Sequence, residues 1–190
     1  MKIFLMDQER RFDMHLRELI RRPVMSYDRK LLKEKISTID IRSNKALRDV
    51  NVDFLFDYKI FPPNIMSHKT QWSSENREMK IGDTILQQAY LPPIKSFSQK
   101  IIFGVRINSI IKEDKIKGYS YETIEGHVEK GESIFTLEQN EKGLIFRIHT
   151  HSKPGNLLSK LVGPLFSLPY QAYCTRQGLK NVKQQMEGMD

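Results

Sequence analysis

One cysteine, one tryptophan and no long apolar run mark this 190-residue chain. A lone Cys174 excludes an internal disulfide. Nothing beside it in sequence would activate a thiol, so a buried or half-buried cysteine in a reducing, cytoplasmic compartment is expected. No apolar stretch approaches the roughly 20 residues that span a bilayer, so no transmembrane segment is expected. The start, MKIFLMDQERRF, is too short in its apolar part and too soon acidic for a secretory signal. Zinc-finger spacing, an RNA-binding aromatic signature and a glycine-rich phosphate loop are all missing. Neither a specific nucleic-acid partner nor a cofactor is therefore expected.

Hydrophobic residues make up 39% and charged residues 28%, a balance that suits a soluble globular domain. The net charge of +8 is concentrated early, in ERRFDMHLRELIRRP and YDRKLLKEKI. Acidic residues are interspersed there, so a solvated helix face is the plainer reading. An anionic surface or acidic partner is the alternative.

The apolar period divides the chain. Residues 1–50 read as a helical appendage or lid. Phe12, Leu16, Leu19 and Ile20 repeat at helical spacing before Pro23, and Ser26 is placed to cap a second helix bearing Leu31, Leu32 and Ile36. Residues 51–190 read as one further domain. NVDFLFDYKIF alternates like a strand and stops at Pro62-Pro63. MSHKTQW and DTILQQAYL are weaker strands. KIIFGVRINSII is a stronger one, with Ile101, Phe103, Val105, Ile107 and Ile111 opposite Gly104, Arg106 and Asn108. LIFRIHTHS sets Leu144, Phe146, Ile148 and Thr150 against Ile145, Arg147, His149 and His151. After SKPG the period becomes helical nearly to the end, with a bend expected at Pro164 and Pro169. The order implies an α+β fold: a curved antiparallel sheet with one face covered by a long C-terminal helix.

The stretch GYSYETIEGHVEKGESIFTLEQ, 118–139, carries most of the candidate chemistry. A two-residue loop at Lys130-Gly131 predicts that Glu129 faces Glu132, His127 faces Ile134 and Thr123 faces Glu138. Tyr119, Tyr121 and His127 then share a polar face. Ser120, Glu122 and Ile124 join Phe135 and Leu137 on the apolar one, where the ionised form of Glu122 is costly and its pKa should rise. Glu129 and Glu132 read as solvated charges beside a turn rather than a glycosidase pair. His127, His149 and His151 resemble a metal set, with a wet sheet face as the plainer reading; no metal is assigned.

IFGVRI, GYSYETIEGHVEKGES, FRIHTHSKPG and LVGPLFSLPYQAY together resemble domain-of-unknown-function family nineteen-ninety over roughly residues 52–185. The series falls on Gly118, Tyr119, Tyr121, Thr123, Gly126, His127, Glu129, Gly131 and Glu132, then Ser152, Pro154, Gly163, Pro164 and Gln171. The resemblance implies a START-like, Bet v 1-like helix-grip fold, which closes a curved sheet over a long helix and often holds an apolar ligand between them. No catalytic roles come with it. Glu122, His151 and Lys153 depart from the pattern, as do the first 50 residues.

The first functional expectation is a cavity for a small apolar or amphipathic molecule. It is lined by Phe103, Val105, Glu122, Ile124, Phe135, Leu137, Phe146, Ile148, Leu161 and Tyr170. The second is an enzyme using His127 or Glu122 as general acid or base, with Tyr119 or Tyr121 donating to an oxyanion. The third is docking of the basic N-terminal segment on an anionic partner or surface.

Overall fold

The structure, a computed structural model, describes residues 2–92, 94, 97–141, 143–155 and 157–188, and the side chains of all of these except 157–168. Eight antiparallel strands form one sheet in the order β2-β8-β7-β6-β5-β4-β3, with β1 paired to β5 off that path. They are β1 (Lys2–Phe4), β2 (Lys33–Ile41), β3 (Met66–Thr70), β4 (Thr84–Leu91), β5 (Gln99–Lys112), β6 (Ile116–Thr123), β7 (Glu129–Asn140) and β8 (Gly143–Pro154). The helices are α1 (Phe12–Ile20), the one-turn α2 (Asp53–Phe56) and α3 (Gln71–Ser74), and the closing α4 (Leu157–Glu187). No described helix is long and apolar enough to cross a membrane.

The two sheet faces are covered differently. On the inner face, Val105, Ile107, Tyr119, Phe135, Leu137, Phe146 and Ile148 pack with Phe54, Leu55, Tyr58 and Ile60, and with Leu179, Val182 and Met186 of α4. On the outer face, Phe12, Leu16 and Leu19 of α1 pack on Leu86 and Ile102. Gly104 makes room for this helix: a Cβ there would sit 3.0 Å from Leu19 Cδ1. Arg106, also on that face, donates from Nη2 to the carbonyls of Leu19, Ile20 and Arg22 at 3.3, 3.0 and 3.1 Å. A cation thus holds the C-terminal end of α1, where carbonyls lack intrahelical partners.

Several expectations need correction. The predicted second helix is absent: residues 29–31 form a single 3-10 turn, and Lys33–Ile41 is an edge strand paired to β8. Its residues from Ser37 to Ile41 alternate half-buried and exposed, a period of two that the lysine-rich composition concealed. The first helix stands, but it packs on the outer face, on Leu86 and Ile102. NVDFLFDYKIF is not a strand. Phe54, Leu55 and Tyr58 are buried at helical spacing, and Tyr58 takes a positive φ of 61° that turns the chain. In β5, the register shifts between Ile107 and Ser109, so Ile110 rather than Ile111 faces the core. α4 runs through Pro164 and Pro169 without interruption.

The central hairpin has a different turn from the one predicted. β6 ends at Thr123, residues 124–128 make the loop with Gly126 at φ 88°, and Lys130-Gly131 lies inside β7. Glu138 therefore pairs with Ile116 instead of Thr123, and Glu122 pairs with Glu132. An odd shift moves every β6 side chain to the other face. Tyr119 and Tyr121 join Phe135 and Leu137 inside, and Glu122 goes outside.

Candidate functional site

The inner face collects polar groups beneath the middle of α4. Glu129, at the start of β7, is half-buried. Its Oε1 accepts a short hydrogen bond from Gln171 Nε2 of α4, and the Ser152 hydroxyl of β8 also bonds its carboxylate. Desolvation by burial nevertheless raises the Glu129 pKa from its ordinary value. His127, two residues earlier, is buried. Its ring meets Phe103 edge-on, with centroids 4.5 Å apart, and Nδ1 accepts the Glu129 backbone N–H at 2.9 Å. Burial lowers its pKa from 6.5 to about 4, so the imidazole is neutral at physiological pH.

Further along the same face, Gln87 Nε2 donates to Tyr58 Oη, and the Tyr121 hydroxyl meets Ser133, Tyr58 and Gln87. The buried Tyr119 hydroxyl has no aligned partner, whereas that of Tyr170 meets the Cys174 thiol and the Tyr90 backbone. Beside Tyr170, the Cys174 thiol is buried and pushed up to about 11, which fits an inert cysteine. These few polar groups stand among the buried apolar side chains of the inner sheet face.

The expected lining residues divide accordingly. Phe103, Val105, Phe135, Leu137, Phe146 and Ile148 are buried on the inner sheet face, and Tyr170 stands on α4. The side chain of Leu161 lies outside the described residues. Glu122 and Ile124 do not line this space. Ile124 is fully buried, with Cδ1 3.4 Å from where a Gly104 Cβ would sit, on the α1 side. Glu122 accepts a 2.6 Å hydrogen bond from Tyr27 Oη on the outer face. His127 and Glu122 thus lie on opposite faces and cannot act as one acid–base pair. Glu129 and Glu132 also point to opposite faces, which removes any carboxylate pair between them.

Sequence reasoning missed Glu129, Ser152 and Gln171 as one group, although all three belong to the series that carried the resemblance. Polar members of a motif, drawn from three distant segments, were the available signal. A separate open cleft of about 540 Å³ lies at the β3 edge, lined by Glu9, Phe12, Phe61, Met66, His68 and Asn181 among others. Phe61, edge-on to Phe135 at 6.4 Å, stands between that cleft and the inner core.

Solved structures share this architecture. Ginseng major latex-like protein 151 from Panax ginseng is similar with a TM-score of 0.54 at 15% identity, covering 82% of this chain and 98% of that one. The KanY protein gives 0.52 at 12%, with 82% and 98% covered. Hypothetical protein jhp0584 from Helicobacter pylori gives 0.51 at 12%, with 80% and 86% covered. At these identities the likeness is one of fold, the Bet v 1-like helix-grip fold. No curated protein matches the sequence. A family model for a domain of unknown function, DUF1990, matches residues 38–181, and the chain belongs to that family.

Proposed function

We propose that the protein binds a small amphipathic molecule between the inner sheet face and α4. The apolar part lies on Phe103, Phe135 and Ile148, and the polar end is held at Glu129, Ser152 and Gln171. The observation that carries this is the meeting of those three polar side chains, from β7, β8 and α4, beside the apolar residues of the inner face. Burial raises the Glu129 pKa, and Gln171 and Ser152 supply the hydrogen bonds that a buried carboxyl requires. The Bet v 1-like fold is consistent with the reading.

The test is titration with an environment-sensitive anilinonaphthalene dye, together with native mass spectrometry of the purified protein. Saturable one-to-one binding is expected in the parent, and loss of it in Ile148→Trp, which fills the wall. Dye binding that Ile148→Trp leaves unchanged would count against the site.

A second reading has its own observation. Arg10, Arg17 and Arg21 repeat with the exposed Met14 along α1 and the residues that flank it, and Arg11 stands beside them. None of the four arginines is in an ion pair among the described residues, whereas Asp13 pairs with Lys69 and Glu18 with Lys2 and Arg22. Such a stripe suits an anionic surface. Sedimentation with phosphatidylserine vesicles should then weaken steeply with added salt. Salt-independent or absent binding would remove this reading.

A further inference from the structure

The outer face carries a second cluster, on the far side of the sheet from Glu129. β2 and β8 run antiparallel with Glu34 directly opposite His151 and Ile36 opposite His149. The two-residue strand repeat puts both histidines on one face, with ring centroids 4.4 Å apart. Glu34 Oε1 lies 2.7 Å from His149 Nε2 and 3.6 Å from His151 Nε2. One donor atom from each of the three residues lies within 4.8 Å of the other two. On the other side of β8, Glu132 of β7 is opposite His151 and places Oε1 3.6 Å from its Nδ1.

Two imidazole nitrogens and a carboxylate oxygen are a zinc-type donor set. Around a tetrahedral ion with bonds of about 2.0–2.1 Å, adjacent donors stand about 3.3 Å apart. The two distances from Glu34 fall on either side of that value, and Glu34 is exposed and able to turn. The three residues leave the solvent side of the cluster open. Glu132 supplies what a ligating histidine needs behind it, a carboxylate for the other ring nitrogen. Its side chain is only 11% exposed, and Oε1 has no aligned hydrogen-bond donor although Arg29 Nε lies 2.8 Å away. Arg29 Nη2 also lies 3.4 Å from His151 Nδ1. Arg29 is more than half exposed and can swing aside as Nδ1–H turns to Glu132.

We propose that Glu34, His149 and His151 bind a zinc-like divalent cation, with Glu132 as a positioning residue for His151 and a fourth coordination position open to water. The site is independent of the ligand reading, because the sheet separates the two.

The experiment is calorimetric titration of the untagged full chain with zinc in a non-coordinating buffer. One equivalent should bind saturably and raise the melting temperature. His149→Ala and Glu34→Gln should each weaken binding by about tenfold or more, and Glu132→Gln by about tenfold. His149 is only half-buried, so its loss should leave the fold intact. Should His149→Ala nonetheless unfold, cobalt(II) spectra of the parent decide. Intense visible bands of a four- or five-coordinate ion support the site, and the weak spectrum of the aqua ion overturns it. Absence of saturable zinc binding, or binding indifferent to His149→Ala, likewise overturns it.

Discussion

At the residue scale, the buried ionisable groups give the sharpest expectations. His127 has a folded pKa of about 4 against an ordinary 6.5, lowered by burial. Its neutral form fits the fold, so the stability it contributes is complete above pH 6.5 and is lost as pH falls through about 4. The loss should reach up to about 3 kcal/mol. His68 is shifted the same way by burial and adds to the trend. Urea unfolding across that range should show the decline, and His127→Gln should flatten it. Glu129 runs the opposite way. Its raised pKa means that the stability it contributes is complete below the unfolded carboxylate value and is lost as pH rises through the folded one. Glu129→Gln should therefore raise the melting temperature at neutral pH and leave it unchanged in acid. A third expectation concerns backbone. Gly131 has φ 148°, and a Cβ there would sit 1.9 Å from the His151 carbonyl oxygen. Gly131→Ala should cost about 3 kcal/mol or more, read as a lower urea midpoint with an unchanged slope.

At the scale of elements, an apolar stripe and the Arg106 guanidinium hold α1 to the sheet, beside the more exposed Asp13–Lys69 and Glu18–Lys2 ion pairs. Removing the Arg106 guanidinium leaves the Leu19, Ile20 and Arg22 carbonyls without that donor. Arg106→Met should destabilise by about 2 kcal/mol. It should also raise hydrogen exchange across Phe12–Ile20 more than across β7, which hydrogen–deuterium mass spectrometry can resolve. These elements also show what was legible in sequence. The stripe of α1 and the two faces of β8 were read correctly, because one periodic pattern ran uninterrupted through each. The β6 faces were inverted, because KG and EG dipeptides are both good turn formers and only long-range packing selects between them. The one-turn α2 was misread for a related reason: residues 52–60 are apolar at both even and helical spacing, so periodicity alone is ambiguous. β2 was hidden by its lysines, which an edge strand tolerates on exposed positions. Glu129, Ser152 and Gln171 are far apart in sequence, and their meeting depends on the β7–β8 register and on which side α4 presents.

At the scale of the whole molecule, the sheet does two jobs. Its outer face is partly sealed by α1 and partly wet, with the Glu34–His149–His151 cluster beside β2. Its inner face is sealed at one end, where Leu179, Val182 and Met186 of α4 join the core. Toward the other end it meets Gln171 and Tyr170, with Glu129 and His127 on the sheet side. A guest molecule would therefore occupy only the end of the helix–sheet space away from Met186. A crystal structure of the protein soaked with the anilinonaphthalene dye tests this most directly. Dye density between Ile148, Phe103 and α4, with its polar group within hydrogen-bonding distance of Glu129 or Gln171, is the predicted result. Side chains that fill that space completely, with the dye absent or on another surface, would contradict it.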